Sequence, residues 1–217
     1  IDMFNAMVDE MFDYGRFILN SKRENPSEDL LSAIANAEIE GEKLSQEFLD
    51  GSWLLIIFAG NDTTRNTLSG GIKLLHDNQK QKELLINDLE LLPNFINETV
   101  RCVSPVIHMR RTTLEETEIN GQKIGPHEKI ALWYGAANRD PEIFENPDDF
   151  NILRENADKH LAFGFGRHSC IGKPVALMQL HEFYSQFLTR YPDFEMNGKW
   201  KVAPNNFVHA IQEMPIK

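Results

Sequence analysis

Cysteine is scarce. Cys102 and Cys170 are the only two in 217 residues, which excludes a disulfide framework and makes a reducing compartment, the cytoplasm, the expected setting. Long apolar runs are missing as well. The longest, Trp53 to Ala59, falls far short of the ~20 residues a membrane-crossing helix needs, so no membrane span is expected. Basic residues are outnumbered, 22 against 33 acidic, and the net charge of −11 argues against nucleic acid or an anionic lipid surface as the main partner. There is no internal repeat, low-complexity tract or signal-peptide pattern. The chain opens on Ile1, inside an apolar-periodic stretch, so an upstream portion is expected. What remains is an ordinary globular composition, 41% hydrophobic and 10% aromatic, enough for one large domain or two small ones.

Helical periodicity dominates the first half. Met3, Met7, Met11, Phe12, Phe17 and Ile18 predict a helix over 3–23. NPSEDLLSAIANAE predicts a second, with Ser27 as its N-cap. A third is capped by Ser45 and runs to about Asn78, roughly 50 Å at helical rise. Asp62-Thr63-Thr64 should interrupt it midway. Short polar side chains compete for backbone hydrogen bonds, and Gly60 adds weakness. Such a place marks either a functional kink or a bend without chemistry. NQKQKELLINDLE and LLPNFINETVRCV predict two shorter helices, the second stopping before Pro105. Between 105 and 134 the character turns to strand, with Asn120-Gly121 as a hairpin turn. A turn-rich stretch over 138–160, a glycine loop, a last helix from about Gly172 to Arg190 and a strand-and-turn tail complete the chain. The fold class expected is mainly α with minor β.

The glycine loop, HLAFGFGRHSCIG at 160–172, carries the strongest chemical signal. Gly164, Gly166 and Gly172 allow positive φ and close approach of backbone to a flat partner. Cys170 stands just before a helix, whose N-terminal partial charge favours a thiolate, and a thiolate is a nucleophile or a soft-metal ligand. The plain alternative is a buried structural cysteine; three glycines and two phenylalanines around it weigh against that. Zinc fits poorly, because His168 and Cys170 supply only two ligands. A Cys–His protease using His160 or His168 does not match known nucleophile signatures. In ETVR, Glu98 and Arg101 share a helix face; alone they read equally as a surface ion pair worth less than ~1 kcal/mol.

Taken in order, these segments resemble the cytochrome P-450 haem-thiolate monooxygenases. FGFGRHSCIG agrees with that family's haem-binding loop, F-G-x-G-x-H-x-C-x-G, at every fixed position. ETVR is similar to its E-x-x-R helix and AGNDTT to its oxygen-activation segment. The resemblance implies the C-terminal portion of the P-450 fold, residues 1–217 forming one partial domain without the family's N-terminal half. It implies haem b as cofactor, Cys170 as axial thiolate, and Phe163, Gly164, Gly166, Gly172 and Ala176 against it. It implies Arg111 and His168 on the propionates and Asp62 and Thr63 in proton delivery. Glu98 and Arg101 would lock the helix core to the turn-rich meander. Two departures stand out. The family's P-x-R-F is PDDF here, Pro147 to Phe150, without arginine, and Arg154 in FNILR is the candidate replacement. After the cysteine, KPVALM keeps Ala176 but has Leu177 where the family often has arginine.

GNDTTRNTLSGG, PVIHMRRTTLEETEINGQKI, WYGAANRDPE and HLAFGFGRH are similar to bacterial members that hydroxylate terminal carbons of alkanes and fatty acids. FNILR is also similar to relatives that oxidise steroid side chains. This resemblance implies a small apolar substrate in a pocket lined by Leu55, Ile56, Ala59, Val106, Ile107, His108, Phe207 and Val208. It further implies O2 as co-substrate and electrons from a ferredoxin with its reductase, since no flavin or iron–sulfur motif is present. Arg167 and Lys173 would meet the acidic partner, or be solvated surface charge. Readings from other classes are a non-catalytic haem-thiolate module and a truncated fragment without cofactor; the isolated chain is expected to be inactive.

Overall fold

Apolar spacing becomes helix largely where expected. The computed structural model describes residues 2–209 and 211–217 and divides into two units, one up to Asn61 and one from Asp62 to Lys217. In the first, α1 (Asp2–Glu24), α2 (Leu30–Ala35), the hairpin β1 (Glu38–Ile39) with β2 (Glu42–Lys43) and the opening of α3 (Gln46–Asp77) surround a small core of Leu19, Ala35, Leu49 and Trp53. The Trp53 indole donates to the Met11 carbonyl at 3.0 Å, and Arg16 pairs with Asp50 at 2.7 Å. The cap of α2 is Asp29, not Ser27. The Asp29 carboxylate accepts the Ser32 N–H at 2.8 Å, and Ser27 donates its hydroxyl to that same carboxylate. Hydrogen bonds from Lys22, then Ser27, hold the Asp29 carboxyl well below the usual range.

The expected interruption of α3 is absent: the helix runs unbroken through Asp62-Thr63-Thr64. Its polar side chains bond the helix's own carbonyls one turn back. Asn66 Nδ2 donates to Asp62 O at 2.7 Å and Thr67 Oγ1 to Thr63 O at 2.8 Å. Local competition for backbone groups therefore resolves inside the helix.

The second unit packs α3 residues Ile72 and Leu75 against α4 (Gln79–Asn87), α5 (Leu92–Val103) and α7 (Lys173–Arg190), the core continuing through Leu85, Phe95, Val100, Tyr184 and Leu188. Truncating a leucine as buried as Leu75 or Leu85 costs about 2–5 kcal/mol. The Tyr184 hydroxyl donates to Thr67 O and Leu68 O at 3.1 and 2.9 Å, so α7 is seated on α3 directly below Asp62 and Thr63 in sequence. Gly71 makes that approach possible; a Cβ there would stand 2.1 Å from the Tyr184 hydroxyl. After α5, Ser104 takes a left-handed cap at φ 41° and the chain turns to strand. β3 (His108–Thr112) pairs antiparallel with β6 (Lys129–Trp133), which runs into the short α6 (Tyr134–Ala137). β4 (Thr117–Ile119) and β5 (Gln122–Ile124) close over Asn120-Gly121, and β7 (Lys201–Val202) pairs with β8 (Ile211–Glu213). Among the described residues no helix is long and apolar enough to cross a membrane.

Candidate active site

The Cys170 loop is bent by glycine and tied by its own backbone. Gly164 and Gly166 adopt φ of 70° and 68°, and a Cβ on Gly164 would meet the His168 carbonyl at 3.1 Å. Gly164 N–H donates to Leu161 O and Cys170 N–H to Phe163 O, both at 2.8 Å. These bonds deliver Cys170 to the first turn of α7, which Gly172 caps. The thiol is free and exposed, as are His168 and Arg167, while Phe163 is half-buried against the core. The Lys173 ammonium stands 5.5 Å from the Phe163 ring, and Ala176 follows half-buried on α7. Arg111 lies half-buried on β3 and donates to the Arg110 carbonyl; among the described residues no ion pair engages Arg111 or His168.

The two thiols differ in access, Cys102 being half-buried and Cys170 exposed. Burial, then the Glu98 charge, pushes Cys102 up to about 11, so it stays protonated. Only Cys170 is open to a ligand. No group of three or more His, Cys, Asp and Glu side chains among the described residues is placed to hold a metal ion. A protein-held metal needs more donors than one sulfur. A lone exposed thiol on a loop that admits close approach fits an iron that would take its remaining donors from a macrocycle rather than from the protein, so the residues present suit haem.

A buried charge cluster centres on Glu98. Glu98 accepts from Arg101 Nε and Nη2 at 2.8 Å each, from Arg154 Nε at 3.1 Å on both oxygens, and from Asn151 N–H at 3.0 Å. The remaining guanidinium N–H groups take carbonyls of the turn-rich stretch. Arg101 donates to Asn138, Pro147 and Asp149, and Arg154 to Glu145, Asn146 and Asp149. Glu98 and Arg101 are 0% exposed, which removes the surface-pair alternative. Arg154, the candidate replacement for the arginine absent from PDDF, bonds Glu98 directly.

The remaining candidates are dispersed along the chain. Asp62 pairs with Arg65 at 2.8 Å near the surface, and Asp62 and Thr63 are both half-buried. Two of the expected pocket segments are brought together: Val106 bridges Val208, and Ile107 N–H donates to Phe207 O at 2.8 Å. His108 follows, opposite Trp133, with the rings 4.8 Å apart. Leu55 and Ala59 are exposed and Ile56 half-buried on the first-unit part of α3. Sequence reasoning gave no role to Asn138 and no cofactor role to His160, both buried. His160 Nδ1 accepts the Ala162 N–H at 3.3 Å, its ring lies 5.6 Å from Phe163, and its Nε2 has no hydrogen-bond partner among the described residues. Burial, then the Lys173 charge, lowers it to about 4 and keeps it neutral. WYGAANRDPE contains Asn138, but nothing in periodicity or spacing marks one asparagine there.

A thiol-bearing, mainly helical fold with this loop defines a haem-thiolate class of protein. Residues 72–212 match the cytochrome P-450 family model, and the chain belongs to that family. It is 36% identical to a steroid C26-monooxygenase of Mycolicibacterium smegmatis over 94% of this chain and 51% of that protein. It is 32% identical to a methyl-branched lipid omega-hydroxylase of Mycobacterium tuberculosis over 99% of this chain and 50% of that protein. The solved structure of cytochrome P-450-153 from Novosphingobium aromaticivorans superposes with a TM-score of 0.89 at 35% identity, covering 100% of this chain and 54% of that one. The chain thus spans about half the length of the curated relatives it matches.

Proposed function

We propose that the chain is the C-terminal part of a haem-thiolate monooxygenase that hydroxylates the terminal carbon of a medium- or long-chain aliphatic molecule, an alkane or fatty acid. Haem b is the cofactor and Cys170 its single protein ligand. The observation that carries this reading is the lone exposed thiol on a glycine-bent loop at the start of α7, in a chain of the P-450 family. All 217 residues are read as part of one P-450 domain, supported by the overlap of the whole chain with the Novosphingobium structure. The acidic charge and two free thiols support a cytoplasmic setting.

The net reaction takes a C–H bond, O2, two electrons and two protons to an alcohol and water. Haem, when bound, supplies the oxygen-activating chemistry that side chains lack. Cys170 would contribute its sulfur as an electron-rich ligand, with Phe163 packing beside it through the Cys170 N–H bond to the Phe163 carbonyl. Arg111 and His168 hold the cofactor's carboxylates through charge-assisted hydrogen bonds. Asp62 takes up protons at its carboxylate, and Thr63 holds a proton-carrying water at its hydroxyl. Val106, Ile107, Phe207 and Val208 bind hydrocarbon by dispersion and exclude water, with His108 at the edge. Electrons come from a ferredoxin and its reductase, a partner choice supported by exposed Arg167 beside the loop.

Terminal attack is supported by the omega-hydroxylase named among the relatives and by the apolar pair of segments. A steroid side chain is the second reading, favoured by the steroid C26-monooxygenase. Full-length protein containing this chain, supplied with ferredoxin, reductase, alkanes, fatty acids and sterols, is expected to give primary alcohols from the straight chains. Oxidation confined to rings or internal carbons overturns the assignment.

A further inference from the structure

Asn138 is 0% exposed and every polar atom it carries is engaged. Its backbone N–H donates to Tyr134 O at 2.9 Å and its carbonyl accepts from Arg101 Nη1 at 2.8 Å. Its Nδ2 donates to Ser104 Oγ at 2.8 Å, and that hydroxyl in turn donates to the Arg101 carbonyl at 2.9 Å. Its Oδ1 accepts the Leu161 N–H at 2.6 Å. Leu161 is the residue whose carbonyl holds Gly164, and Phe163 holds Cys170 through its own carbonyl. One side-chain amide therefore stands between the buried cluster and the first backbone bond of the Cys170 loop. The Ser104 bond fixes which amide atom faces Leu161, because the donor end is already committed.

We propose that Asn138 is a positioning residue that transmits the register of the Glu98–Arg101–Arg154 cluster to the Cys170 loop through its Oδ1 acceptor. The His160–Ala162 bond and Phe163 against the core also hold the opening, but beyond them the loop is open: Cys170, His168 and Arg167 are exposed, and Gly164 and Gly166 sit where backbone is most easily re-bent. An amide with both ends satisfied adds a directional, buried hydrogen bond where the loop leaves the meander. The consequence for oxygen chemistry rests on the monooxygenase reading; the mechanical coupling does not.

Amide hydrogen exchange on the full-length protein containing this chain, measured without haem, tests the coupling apart from the cofactor. Asn138→Leu keeps the volume and removes the acceptor. It is expected to speed exchange at Leu161 and Cys170 by about tenfold while Leu188, on the far part of α7, keeps its rate. Asn138→Asp retains an acceptor toward Leu161 and is expected to restore protection at both. If Asn138→Leu yields no folded protein, Asn138→Ser, too short to reach Leu161, is read in the same way. Uniform acceleration at all three amides, unchanged rates, or failure of Asn138→Asp to rescue overturns the proposal. In the haem-loaded full-length protein, Asn138→Leu should shrink the thiolate-type share of the reduced CO complex and Asn138→Asp should preserve it. An equal share in Asn138→Leu and wild type overturns the transmitted effect on the thiolate, whereas a wild type without any thiolate band overturns the monooxygenase reading instead.

Discussion

The Cys170 loop and the Glu98 cluster lie within one unit and spend polarity in opposite ways. On the loop, the thiol, an imidazole and a guanidinium face outward, and backbone bonds shape the turn, with Asn138 and His160 accepting from its opening. In the cluster, three charged side chains are buried and every guanidinium nitrogen finds a carboxylate or carbonyl. The loop leaves its donor open for a ligand. The cluster does the reverse, tying down turns whose apolar side chains Phe144, Phe150 and Ile152 are buried beside it. A buried ion cluster of this kind is poor as net stabilisation, because desolvation offsets Coulombic gain, but it imposes one geometry on the stretch it binds.

Breaking the cluster should have the largest effect. Glu98→Ala leaves Arg101 and Arg154 buried without a counter-charge, and we expect a loss of about 3–5 kcal/mol in chemical denaturation, enough to abolish folding in a marginal chain. An exposed pair would have cost a fraction of that, so a small loss would erase the contrast drawn here.

Next is the pH response of His160, which lies between the two regions. Its folded pKa, about 4, is below the unfolded value of 6.5, so the unfolded state binds more protons between those limits. Its contribution is complete above pH 6.5 and is lost as pH falls toward 4. Between pH 7.5 and pH 5 this amounts to roughly 2 kcal/mol. Urea denaturation of His160→Phe should show a flatter stability profile across that window, and an unchanged profile would mean another group sets the slope. A subtler change is expected in the full-length enzyme for Thr63→Ala. Folding should be unaffected, while peroxide released per electron pair should rise several-fold as product falls. Unaltered coupling would remove Thr63 from proton handling.

Much of this contrast is visible in the residues themselves. Apolar spacing located the major helices within a few residues, and Asn120-Gly121 gave the hairpin. FGFGRHSCIG gave the loop and its cysteine. What escaped depends on contacts between residues far apart in the chain. Arg154 was legible as the candidate partner of Glu98, but Asn138 has no signature beyond being polar until it folds between Ser104 and Leu161. Two local expectations failed. Asp62-Thr63-Thr64 does not break α3, and Ser27 does not cap α2. Ser27 donates to the Asp29 carboxylate instead, and in α3 Asp62 turns outward to Arg65 while the next polar residues, Asn66 and Thr67, bond carbonyls one turn back.

The most direct measurement is the spectrum of the reduced, CO-bound haem protein carrying Cys170→Ser, set against wild type. Wild type should show the red-shifted band of sulfur ligation and the variant should lack it, with substrate oxidation lost in parallel. A variant whose band and oxidation match wild type would contradict the assignment of Cys170 as the iron's ligand.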